Sequence, residues 1–89
     1  MTVSIDKANP ITRAVRLTLD PAKGLDSLDV VQYADGSVWV THHRAVWFET
    51  FHGERVTRER MTGTFDSVQE LAVNMETGMG TFRNMTVLR

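Results

Sequence analysis

Three histidines, His42, His43 and His52, are the residues of this sequence that could do metal or acid–base chemistry. Oxygen donors that could complete a zinc site with them are Asp29, Asp35 and Glu49. Neighbouring residues on a strand point to opposite faces, so His42 and His43 cannot reach one ion, and neither has a recognised zinc spacing with His52. We therefore expect no metal site.

Two histidines and an arginine could act as general acid and base, and His42, His52 and Arg58 could supply such a set. The sequence has no cysteine and no Gly-x-Ser-x-Gly motif, which excludes a thiolate nucleophile and a nucleophile elbow. Its glycines follow neither the P-loop nor the dinucleotide-binding pattern. We expect no catalytic residue and no cofactor, and thus not an enzyme. A small ribonuclease that depends on His and Arg stays an alternative.

The composition is that of a small globular domain. Of the 89 residues, 42% are hydrophobic and 24% are charged, as in ordinary folded proteins. We expect a single domain over residues 1–89, with residues 1–10 as a frayed N-terminal arm. The sequence lacks cysteine, a signal peptide and any apolar run long enough to span a bilayer, which favours a cytoplasmic protein. The net charge of −1 provides no overall field that attracts nucleic acid or acidic membranes.

The pair Asp35-Gly36 separates two alternating runs and predicts a β-hairpin, because Asp-Gly suits a two-residue type I′ turn. With that turn, the predicted core pairs are Tyr33–Val38 and Val31–Val40. The opposite face would carry Val30, Gln32, Trp39 and Thr41. The same register would place Asp29 opposite His42, as a weak carboxylate–imidazole pair at the surface.

A second hairpin is predicted at His52-Gly53, which is a weaker turn signal. A two-residue loop there would place Trp47 opposite Arg58, and the guanidinium could then stack on the indole ring. Further strands are predicted over Ile11–Leu19 and Thr81–Leu88. The last of these is apolar on both faces, which is typical of a central strand or of an interface, so a homodimer could form through this edge of the sheet.

One helix is predicted over residues 67–77. Ser67 and Glu70 fit a capping box, and Gly78 follows as a terminator. The apolar stripe that we expect to face the sheet consists of Val68, Leu71, Ala72 and Met75. The fold class is therefore α+β: an antiparallel β-meander of about five or six strands, open or barrel-like, packed by one helix.

With no catalytic or cofactor motif, we expect a non-enzymatic protein-interaction domain whose partner is another protein. Trp and Arg are enriched among the residues that contribute most to binding. The candidate interaction surface consists of Val30, Gln32, Trp39, Thr41, Trp47 and Arg58. The same aromatic and Arg residues would also suit a small β-barrel that binds single-stranded nucleic acid, the second alternative. Small size and Arg-rich composition are typical of phage or mobile-element accessory proteins, including inhibitors, that modulate a host protein.

Overall fold

The computed structural model describes residues 9–20, 26–48, 51–77 and 80–89. The strands are β1 (Ile11–Asp20), β2 (Ser27–Tyr33), β3 (Val38–Phe48), β4 (Phe51–Met61), β5 (Glu76–Thr77) and β6 (Gly80–Val87), and the helix α1 (Phe65–Val73) lies between β4 and β5 in the chain. They form one antiparallel sheet in the order β4-β3-β2-β1-β6-β5. Among the described residues, the predicted α+β meander packed by one helix is confirmed, and the sheet is open rather than closed into a barrel.

The helix covers one face of the sheet because the chain must pass from the β4 edge to the β5–β6 edge. We call this face, which carries Val30 and Val38, the covered face, and its reverse the open face. Between α1 and the sheet lies a core of Val15, Leu17, Leu19, Leu28, Val30, Val38, Phe65, Val68, Ala72 and Phe82. The sheet is strongly curled over this core, since the ring of His42 on β3 lies 5.7 Å from that of Phe82 on β6, with two strands between them.

The first hairpin has a three-residue loop, so the predicted register is wrong by one residue. Gly36 N–H donates to Tyr33 C=O at 2.9 Å, and Tyr33 N–H donates to Ser37 C=O at 3.0 Å. Gly36 has φ 88°, as expected where a type I turn is followed by a left-handed glycine. Val30 therefore lies opposite Val40.

A one-residue shift moves every side chain of a strand to the other face. Tyr33 lies on the open face instead of in the core, and Val31 lies there with it, opposite Trp39. Val30 is 0% exposed in the core, so the prediction that it belongs to an interaction surface is wrong. Asp29 lies opposite Thr41 instead of His42.

The second predicted turn is also wrong, because His52 and Gly53 lie inside β4. Phe48 at the end of β3 lies opposite Phe51 at the start of β4. Strands β3 and β4 have 11 residues each, and this register pairs all of them, whereas a turn at His52-Gly53 would leave part of β3 and β4 unpaired. The longer ladder satisfies more backbone N–H and C=O groups. As a result, Arg58 lies opposite Thr41 instead of Trp47.

The predicted helix exists, but its ends differ from the prediction. Thr64 is the N-cap: its hydroxyl accepts from Ser67 N–H at 3.1 Å, and Ser67 Oγ accepts from Thr64 N–H at 3.0 Å. The helix ends at Val73, because the next residues pair with β6 as strand β5. Its buried residues are Phe65, Val68 and Ala72. Leu71, predicted to face the core, is 64% exposed.

Strand β6 is close to its predicted bounds and lies beside β1. On its outer side the two-residue strand β5 pairs only with its first two residues, so the rest of that edge has no strand partner among the described residues. Met85 and Val87 on this stretch are exposed.

In the part of the chain that the structure describes, no helix is long and apolar enough to cross a membrane.

Candidate interaction surface

An aromatic cluster of Tyr33, Trp39 and Arg58 lies on the open face of the sheet. The guanidinium carbon of Arg58 lies 3.9 Å from the centre of the Trp39 ring and 5.8 Å from that of Tyr33. Arg58 Nη2 also donates to the Tyr33 hydroxyl at 3.1 Å, and Trp39 Nε1 donates to Ser37 Oγ at 3.2 Å. These bonds hold three large side chains in one arrangement.

The register of the sheet brings this cluster together. Trp39 lies directly opposite Arg60, so Arg58 is its diagonal neighbour on β4. Diagonal neighbours in a sheet are within reach of long and aromatic side chains. The three-residue loop at Gly36 turns Tyr33 to the same face.

A charged row crosses four strands of the open face beside the cluster, and consists of Arg16, Asp29, His43 and Glu54. Arg16 donates from Nε and Nη2 to the two Asp29 oxygens at 2.8 and 3.0 Å. His43 Nε2 lies 3.9 Å from Asp29 Oδ2, and His43 Nδ1 lies 2.8 Å from Glu54 Oε1. Arg16 and His43 alternate with the two carboxylates along the row, so each carboxylate lies beside a side-chain nitrogen.

Arg16 and Asp29 form a bidentate pair within this row. The hydrogen bond from Arg16, followed by the attraction between the two charges, raises the pKa of the Arg16 guanidinium. The Asp29 side chain is only 12% exposed although it lies on the open face. The sequence predicted an imidazole beside Asp29, but the nearest one is His43 rather than His42.

The structure separates the predicted site residues into two groups. Trp39, Thr41 and Arg58 share the open face, as strand alternation and pairing require. Gln32 lies on the covered face, opposite Val38. Trp47 lies opposite His52 in the backbone register, but its side chain is outside the described residues. Tyr33 was predicted to lie in the core and not on this surface. A three-residue loop at Asp35-Gly36 would have predicted its position on the open face.

The histidines do not form a common centre in the described structure. His42 packs edge-on against Phe82 on the covered face, whereas His43 contacts Glu54 on the open face, which confirms that the two point to opposite sides. His42 and Arg58 are therefore on different faces, and the side chain of His52 is outside the described residues. Within the described ranges, no three His, Asp or Glu side chains are grouped closely enough to hold a metal ion.

A groove on the covered face, which we call the helix–sheet groove, lies between α1 and strands β3 and β4. Its volume is about 470 Å³. Apolar side chains that line it are Leu28, Val40, Met61, Val68, Leu71, Ala72 and Met75, and polar ones are His42, Thr57, Glu59 and Asn74. His42 Nε2 is buried there without a hydrogen-bond partner among the described residues.

Comparison of the chain with protein-family models, with curated proteins and with solved structures gave no match.

Proposed function

We propose that this chain is a non-enzymatic protein-interaction domain that binds another protein through the open face of its sheet. The observation that supports this proposal is the aromatic cluster. Trp, Tyr and Arg are the side chains most enriched among residues that contribute most of the binding energy in protein interfaces. Here one of each is held by mutual contacts on a face that no described helix covers.

Preorganisation of the cluster favours binding. A long Arg side chain normally loses conformational entropy when a partner immobilises it. Arg58 is already held by the Trp39 ring and the Tyr33 hydroxyl before any partner arrives. A partner with an apolar or aromatic patch, bordered by polar groups that match Arg58 and Glu54, would suit this face.

The wider setting of the proposal follows from the sequence. A small cysteine-free domain whose only proposed activity is binding would act in the cytoplasm as an accessory protein that modulates a larger host protein. A phage or mobile-element origin is part of this proposal, and inhibition of the host protein is its expected consequence.

Single-stranded nucleic acid is the second candidate partner, since exposed aromatic side chains with Arg can stack bases. Two features of the open face make single-stranded nucleic acid a less favoured partner than a protein. The Arg58 guanidinium already covers one face of the Trp39 ring. The carboxylates of Asp29 and Glu54 flank the cluster and oppose a phosphate backbone.

The test begins with the tagged chain expressed in its native host, where the captured partner is identified by mass and then purified for affinity measurements. We expect Trp39→Ala and Arg58→Ala each to weaken binding by about tenfold or more. Arg55→Ala is the matched control, because Arg55 is exposed on the same strand but on the covered face, and it should leave the affinity unchanged. Equal losses in all three variants, or tight, salt-sensitive binding of an oligonucleotide instead of a protein, would contradict the proposal.

We also propose that two copies of the chain form a homodimer through the β6 edge of the sheet. Val87, 70% exposed beside the unpaired part of that edge, is suited to a two-fold contact between strands. Light scattering should give twice the chain mass for the native protein and the single mass for Val87→Lys. Val56→Lys is the control, since Val56 is similarly exposed but lies on β4. A monomeric native protein excludes this route.

A further inference from the structure

The helix–sheet groove has two apolar walls that no described element fills. On the helix side, Leu71 and Met75 are exposed instead of buried in the core. On the sheet side, Val40 and Met61 are only partly buried against the core. The volume of about 470 Å³ lies within the range of pockets that bind small organic molecules. These walls suit an apolar chain.

His42 contributes a polar ring to the wall of this largely apolar groove. His42 Nε2 is buried without a hydrogen-bond partner in the described part of the chain, which is unfavourable for a polar group. The ring cannot easily turn away, because it packs edge-on against the fully buried Phe82. Nε2 is closed to solvent, so a ligand in the groove would touch the His42 ring as part of the wall and would not hydrogen-bond to this nitrogen.

Two arginines lie on the covered face just beyond the residues that line the groove. On the covered face, the cross-strand pair that follows His42–Thr57 is Arg44–Arg55, about 7 Å farther along the strands. Like charges directly opposite each other destabilise a sheet. Neither arginine has an ion pair among the described residues, and an anion between them would relieve the repulsion.

The groove is therefore polarised along its length. Glu59, opposite Val40, lies on the other side of His42–Thr57 from the arginine pair. An anionic head group is consequently favoured at the arginine end and disfavoured at the inner end. From Arg55 to Met61 the strand covers about 20 Å, which is comparable to an extended long-chain fatty acid.

We propose that the helix–sheet groove binds a fatty acid, with the alkyl chain between α1 and strands β3–β4 and the carboxylate at Arg44 and Arg55. This site lies on the opposite face from the aromatic cluster, so it does not depend on the proposed protein interaction. Arg55→Ala, the control for the open face, is a test variant here, which separates failure of one proposal from failure of the other.

The probe is dodecanoate, titrated below its micelle-forming concentration into the full chain by calorimetry. We expect saturable binding with one dodecanoate per chain and shifts of the His42 ring and Met75 methyl NMR signals. Dodecan-1-ol, which lacks the charge, should bind about tenfold more weakly, because charge-assisted hydrogen bonds are lost. Dodecyltrimethylammonium should bind no better than the alcohol.

Variants locate the site. The double variant Arg44→Ala, Arg55→Ala should weaken dodecanoate binding by about tenfold, as the alcohol does. Leu71→Glu should abolish binding, and because Leu71 is 64% exposed the fold should tolerate this change, which circular dichroism will verify. Arg60→Ala, on the same strand as Arg55 but on the open face, should bind as the native chain does.

Three results would overturn the proposal: no saturable binding of dodecanoate, equal affinity for the three probes, or equal loss in Arg60→Ala and in the double arginine variant. A fourth result would assign the groove to a protein instead. If Leu71→Glu abolished capture of the partner protein while dodecanoate failed to bind the native chain, the occupant would be a peptide segment.

Discussion

The guanidinium carbon of Arg58 lies 3.9 Å from the centre of the Trp39 ring, within the range of a favourable cation–π contact. In a double-mutant cycle with Trp39→Leu and Arg58→Ala, we expect a coupling free energy of about 0.5 to 1 kcal/mol at this solvent-accessible site. Urea unfolding followed by circular dichroism provides the measurement. The cycle of Trp39→Leu with Arg55→Ala is the control and should be additive, since Arg55 lies on the covered face, away from Trp39.

The core beneath helix α1 should contribute more to stability than Leu71 on the exposed side of the helix. Phe82 is fully buried beneath it, and Leu71 is 64% exposed. We expect Phe82→Ala to lower the free energy of unfolding by about 3 to 5 kcal/mol through a cavity, and Leu71→Ala to change it by about 0.5 kcal/mol or less. Both values come from urea unfolding curves, and comparable losses would show that Leu71 is buried.

The two Asp–Arg pairs should differ in their contribution to stability because they differ in exposure. The Asp29 side chain, which accepts two hydrogen bonds from Arg16, is 12% exposed, whereas Asp66, paired with Arg13, is 79% exposed. We expect Asp29→Ala to lower the free energy of unfolding by about 1 to 2 kcal/mol, less than for a fully buried pair because solvent screens Arg16. Asp66→Ala should lower it by less than about 1 kcal/mol. A chemical denaturation series will rank them, and the reverse order would refute this assignment.

The first hairpin should weaken in acid through Asp35. The hydroxyl and the backbone N–H of Ser37 donate to the Asp35 carboxylate and lower the pKa of that group below its ordinary 3.8. A lowered pKa stabilises the folded state above the ordinary value, and this stabilisation is lost as the pH falls through the folded-state value. Asp35→Asn should therefore lose less stability than the native chain between neutral pH and pH values below 3.8. Thermal unfolding across this range is the measurement, and parallel curves would contradict the expectation.

Gly36 and Gly63, two of the glycines with positive φ, should respond differently to alanine. At Gly36, with φ 88°, no atom lies within 4 Å of an added Cβ, so Gly36→Ala should cost only the left-handed backbone penalty of about 1 to 2 kcal/mol. Gly36→Asn should cost less, because Asn tolerates this conformation. At Gly63 the added Cβ would also lie 2.9 Å from Ser67 Oγ, so Gly63→Ala should disturb the helix cap as well. The loss in unfolding free energy should be smallest for Gly36→Asn, larger for Gly36→Ala and largest for Gly63→Ala. A neutral Gly36→Ala would show that the turn relaxes.

Local patterns in the sequence were sufficient for the elements whose signals involve only neighbouring residues. Alternation identified β1, the Asp35-Gly36 pair identified the first reversal, and the Thr64–Gln69 region contained a helix start, although the capping residue is Thr64 and not Ser67. The prediction that His42 and His43 face opposite sides also holds, because it depends only on the period of an extended strand.

The registers and the helix end depended on the tertiary structure. Asp-Gly fits both a two-residue loop and the end of a three-residue loop, and the latter is the one that places Val30 opposite Val40 beneath α1. Likewise, the full eleven-residue ladder between β3 and β4 places Arg58 beside Trp39 and Arg44 opposite Arg55. These pairings follow from packing and backbone hydrogen bonding over the whole sheet, and no short stretch of sequence contains that information.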